Sequence, residues 1–151
     1  MSKWELTIFK PGGGKEKIKN PDWKQIKSYL DQVDGDQVGC DYFDTLYLTN
    51  PDFGDMTVTG GNEIDGRRLY AVSFFPIEFD YRIQYCLANP EVQTRDEEFE
   101  MITTQGVGAD YNKEWLVEYD PMIQAFKHFF ETGKLDDALI WEDLAHRVLK
   151  K

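Results

Sequence analysis

Three short stretches of this chain carry residue types that hold phosphate or calcium when the pattern is complete, and each breaks at a required position. Gly14-Lys15 has the ending of a phosphate loop, whose glycine amides cradle phosphate and whose lysine reaches the terminal phosphates. Phe9 stands where the first glycine belongs, and Glu16 replaces the Ser or Thr that would hold magnesium. Gly106-Val107-Gly108 begins a dinucleotide fingerprint, but Tyr111 occupies the third glycine position and no βαβ pattern surrounds it. Asp34-Gly35-Asp36 opens like a calcium loop. There Val38 offers no ligand oxygen, and the twelfth position is Thr45 instead of a bidentate Glu. No metal or nucleotide cofactor is expected.

The remaining chemistry-bearing side chains form no recognisable constellation. His128 and His146 are the only histidines and have no Cys or acidic ligand at short spacing, so zinc is not expected. No nucleophile-elbow signature is present. With 28 acidic residues in the chain, neighbouring carboxylates arise by chance, and Asp96-Glu97-Glu98 reads as a solvated strand entry. The chain is therefore read as a binding protein, not an enzyme. Cys40 and Cys86 show neither paired nor metal-like spacing, which suits a reducing, cytoplasmic location.

Charge carries more information than any motif. The net charge is −11. Residues 1–27 hold seven lysines against three acids, whereas residues 28–66 hold nine acids and no Lys or Arg. Residues 76–120 add eleven acids against three basic residues. Phosphate contacts need clustered Lys and Arg, so direct nucleic-acid binding is disfavoured. A solvated acidic surface keeps a protein soluble, and the same field steers a basic partner toward it. Asp41, Asp44, Asp52, Asp55, Glu63 and Asp65 are the carboxylates expected to face such a partner. Trp141, Glu142 and Asp143 form a second candidate patch, because aromatics beside carboxylates make good interface anchors.

The elements that must position these residues are short. Trp4, Leu6 and Ile8 alternate with polar residues in a half-buried strand, and 11–14 is a Pro-Gly loop. Asn20 is expected to cap a helix with Trp23, Ile26, Tyr29, Leu30 and Val33 on its apolar face, ending at Asp34-Gly35. The basic segment 10–27 is otherwise read as loop and solvated helix face. Strands are expected over about 42–48, 56–59, 69–75, 81–87 and 99–103. They are separated by turn residues at 50–54, 60–62, 65–66 and 89–90, with a Gly-containing loop at 105–111. Tight turns favour antiparallel pairing. The expectation is one α+β domain over 1–151: a mainly antiparallel sheet of about five to six short strands, with two helices packed on one face. Its 15% aromatic content suits a packed core, and no apolar run is long enough to span a membrane.

The C-terminal part is the best delimited. Asp120 is placed to cap a helix with Pro121 at its first position. Met122, Ile123, Ala125, Phe126, Phe129 and Phe130 make its apolar face, Gly133 suits a left-handed cap, and 139–142 reads as a final strand. This run, with FFETG closing the helix and WEDL after a short acidic link, resembles the end of a family of bacterial immunity proteins. Those proteins are encoded beside polymorphic secreted toxins, often of the nucleic-acid deaminase class. Residues 56–61 and 70–73 give a fainter echo of the same family. The resemblance implies a protein that neutralises a cognate toxin, basic and nucleic-acid-modifying, by covering its active site with an acidic surface, and a monomer or weak dimer. The alternative is a small α+β ligand-binding protein or enzyme with a pocket of its own.

Overall fold

The computed structural model describes residues 3–10, 13–38, 42–76, 84–90, 99–105 and 107–143. Alternating apolar residues build a seven-stranded sheet in which every neighbouring pair is antiparallel, in the order β2-β1-β3-β4-β5-β6-β9. The strands are β1 (Glu5–Phe9), β2 (Lys15–Lys19), β3 (Thr45–Asn50), β4 (Gly54–Ile64), β5 (Arg67–Pro76), β6 (Tyr85–Leu87) and β9 (Trp141–Asp143). A separate hairpin pairs β7 (Phe99–Thr104) with β8 (Val107–Asn112). Two helices complete the fold, α1 (Trp23–Leu30) and α2 (Tyr119–Thr132). The α+β class and the antiparallel sheet are as expected, with more strands than the turn spacing suggested.

Side chains two apart on a strand share a face. Leu6 and Ile8, Leu46 and Leu48, Met56 and Val58, and Tyr70, Val72 and Phe74 therefore form one apolar layer. Ile26 and Leu30 of α1 close over it, as do Met122, Ala125, Phe126 and Phe129 of α2, all buried. Trp4 is packed edge-on to Phe129 at 5.0 Å and lies 5.2 Å from Phe130, tying β1 to α2. The opposite face is more polar. Register places Lys17, Thr7, Tyr47, Thr57, Ser73, Cys86 and Glu142 in one row across it. The β7–β8 hairpin packs on that face through Ile102, which meets Ala71 and Leu116 in a second small core. Among the described residues no helix is long and apolar enough to cross a membrane.

Several local readings change. β2, with sequence KEKIK, is an edge strand with a lysine at every other position, a pattern that discourages further pairing. Segment 107–112 is a strand, not a loop. Gly60-Gly61-Asn62 does not end a strand; it is a bulge inside β4, where the register to β5 skips a residue. Asp22, not Asn20, caps α1, accepting a 2.7 Å bond from the Gln25 amide, and α1 ends at Leu30, before Asp34-Gly35. Helix α2 begins two residues before Pro121, which stands third; any first-turn amide is free of the helix ladder, so proline fits there. Gly133 does adopt the left-handed cap, with φ 74°.

Candidate functional site

The bulge in β4 sets the geometry of one end of the molecule. Gly61, at φ 71°, lies so close to Val33 that a Cβ would sit 2.5 Å from its carbonyl oxygen. This lets the turn after α1 press on the bulge. Asn62 then connects three segments. Its Nδ2 donates to Asp36 Oδ1 at 2.9 Å and to Thr103 Oγ1 at 2.8 Å, and its Oδ1 accepts from the Thr103 amide at 2.8 Å. Asp36 Oδ2 accepts from the Glu63 amide at 2.7 Å. Arg68 forms a 2.9 Å ion pair with the buried Asp34 and donates to the Gly61 carbonyl. The two carboxylates that open the calcium-like motif are thus engaged by Arg68, Asn62 and the Glu63 amide.

Helix α2 starts beside this bulge. Val117 bridges Tyr70 through two backbone hydrogen bonds of 2.8 and 2.9 Å. Tyr119 donates to Asp31 at the end of α1. Burial pushes the Tyr119 hydroxyl up from its ordinary value, and the bond to Asp31 adds to the shift while Lys27 opposes it. Burial likewise lifts Tyr70 to about 12. The β4–β5 turn and the start of α2 border an open cleft of about 400 Å³, with Arg67 and Arg68 on one side and Glu118, Tyr119 and Asp120 on the other. Asp31, Asp36, Glu63, Asp65, Glu118 and Asp120, from three separate segments, therefore lie around one end of the sheet. Glu63, Asp65, Glu118 and Asp120 are exposed, and their carboxylates make no hydrogen bond or ion pair among the described residues.

The carboxylates expected from sequence are not all together. Asp41 lies outside the described residues. Asp44 is only 2% exposed; its Oδ1 accepts from the Gln105 amide at 2.9 Å and from Thr45 Oγ1 at 3.0 Å, so it fastens the hairpin to β3. Asp52, in the β3–β4 turn, pairs with Lys3 at 3.0 Å. Asp55 is half-buried on the polar sheet face, between Thr49 and Phe75 in register, and burial raises its carboxyl pKa. Glu63 and Asp65 lie at the other end of β4, whose span of Gly54–Ile64 is roughly 30 Å. The long acidic block is thereby divided between two ends of the sheet.

The second expected patch sits on the edge strand β9. Trp141 packs on the main core and donates to the Asp136 carbonyl at 3.2 Å. Glu142 accepts from Trp115 Nε1 at 2.7 Å, and Asp143 is opposite Tyr85 in register. All three are half-buried. Sequence blocks did not bring out Glu118 and Asp120 as neighbours of Glu63 and Asp65, because the segments meet through tertiary contacts such as the Tyr70–Val117 bridge.

Among the described residues no group of three or more His, Cys, Asp or Glu is placed to hold a metal ion. Cys86 is buried beside Ser73 and Gln84, and burial pushes its thiol up to about 11, which leaves it a poor nucleophile near neutrality. His128 lies 3.9 Å from Asp136 on the outer side of α2. No protein-family model matches the chain, and no curated protein matches it significantly.

Proposed function

We propose that this protein binds and neutralises a cognate secreted bacterial toxin, one acting on nucleic acid, by covering its active site with an acidic surface. The observation that carries this reading is the gathering of carboxylates from three segments around the β4–β5 turn and the start of α2. A nucleic-acid-modifying toxin needs a basic substrate cleft. Carboxylates held at fixed positions present that cleft with acceptors in place of phosphates. Here the Asp36 bond to the Glu63 amide holds the backbone that carries Glu63, and the Tyr119–Asp31 bond holds the start of α2 that carries Glu118 and Asp120, which lowers the ordering cost of binding. The similarity of the FFETG and WEDL segments to immunity proteins supports the same reading.

The test is biochemical and genetic together. A toxin gene should lie beside the gene for this chain, and its product should form a stoichiometric complex with this protein and lose activity in it. Absence of such a gene, or full toxin activity with this protein in excess, contradicts the reading.

A further inference from the structure

We infer that the outer strip of the β7–β8 hairpin, where Phe99 and Met101 stand two residues apart, is the apolar anchor of the toxin-binding surface. The inference rests on the toxin reading above and names the part of the surface that holds the partner once the acidic end has attracted it.

The strip is exposed by construction. Ile102 points inward and is 1% exposed, so its neighbour Met101 on the same strand points outward, as does Phe99 two residues earlier. Phe99 and Met101 are 50% and 65% exposed. They are two of the six large apolar side chains that the described residues leave exposed. The Met101 side chain reaches diagonally over Gly108 on the facing strand; a Cβ at 108 would be 2.8 Å from the Met101 Sδ. A flexible thioether on a flat backbone is an adaptable contact.

The strip is also held still. Thr103 is bonded to Asn62 through both its amide and its hydroxyl, and its hydroxyl reaches the Gly35 carbonyl at 3.2 Å. The Gln105 amide is held by Asp44 and Thr45. These same bonds join the hairpin to the acidic end, through Thr103, Asn62, Asp36 and Glu63 in sequence. An apolar centre with a charged margin is the anatomy of a protein interface.

The charge at that margin selects the occupant. Asp110 lies directly opposite Met101, Glu100 is already paired with Lys113 at 3.3 Å, and Asp36 and Glu63 follow beyond Thr103. A second copy of this chain, at −11, would bring acid against acid around the strip. A basic partner with an apolar patch beside its cleft satisfies both parts.

The experiment compares the full chain with Phe99→Ser/Met101→Ser, measuring binding to the product of the adjacent toxin gene. Both side chains are exposed, so the variant should unfold at the parent's denaturant midpoint; should it not, Met101→Ser alone replaces it. The expected result is an off-rate raised at least roughly 30-fold, the scale of a hot-spot truncation, with the on-rate unchanged. An off-rate within about two-fold of the parent's would overturn the anchor while leaving the toxin reading intact. No complex with the parent protein would overturn both. A parent dimer that the variant abolishes would also overturn the inference, because the occupant would then be a second copy.

Discussion

The ring of Phe53 lies against the backbone of Gly133, so close that a Cβ at 133 would stand 2.7 Å from three of its carbons. Phe53 belongs to the β3–β4 turn and Gly133 caps α2, so this contact fixes the end of the helix on the end of the sheet. Trp4, 6.0 Å from Phe53, completes the seat. Gly133→Ala meets two costs, a left-handed backbone and a displaced ring. It should lower stability by about 1–2 kcal/mol from the backbone alone. In a Phe53→Ala background the loss should shrink, and a double-mutant cycle from urea midpoints measures the coupling.

The main core makes a larger prediction. Phe126 is fully buried between α2 and the sheet. Phe126→Ala should cost about 3–5 kcal/mol in equilibrium unfolding. A midpoint that barely moves would show that this face of α2 is not core.

Asn62 should behave as a latch for the hairpin. Asn62→Ala leaves the Thr103 amide and the Asp36 carboxylate without their partner and should cost about 1–3 kcal/mol. Hydrogen exchange should show lost protection at Thr103, while Leu48 and Val58 in the middle of the sheet keep theirs. Uniform protection across both regions would contradict the latch.

Asp55 gives a pH dependence with a definite sign. Burial raises its carboxyl pKa in the folded state, so folding favours the protonated form. Its charge therefore costs stability in full above the folded pKa, and the cost disappears as pH falls below the unfolded value. Asp55→Asn should raise the urea midpoint at pH 7 and leave it unchanged near pH 3. A gain of equal size at both would assign the effect to something other than the charge.

Alternation and the Gly133 cap made most of the fold legible, whereas both expected N-caps fell elsewhere, Asp22 standing in place of Asn20 and Glu118 in place of Asp120. β1, the core of β5 and the apolar face of α2 announced themselves because each buries one clean side. β2 did not, because an edge strand with a solvated face carries only Ile18 as an apolar residue. β8 was hidden by Gly108 and by a face that needs few large side chains. Gly60-Gly61 has turn composition, yet the glycines serve the close approach of Val33 inside a continuous strand. The acidic surface had no local signature at all. Asp31, Glu63 and Glu118 are distant in the chain and come to one end only through sheet pairing and the Tyr119–Asp31 bond. Asp44 looked like any other member of its acidic run, and only the position of Gln105 shows why it is buried.

The association rate with the adjacent toxin tests the central claim most directly, measured at low and physiological salt for the parent and for Glu63→Lys/Asp65→Lys/Glu118→Lys/Asp120→Lys. These four side chains are exposed, so their reversal should change folding stability little. If the acidic end faces a basic cleft, the parent's on-rate should fall by roughly ten-fold or more as salt shortens the Debye length to about 8 Å. The reversed variant should already be slow at low salt. A parent on-rate that ignores both salt and the four reversals, or no complex at micromolar concentration, would contradict the account.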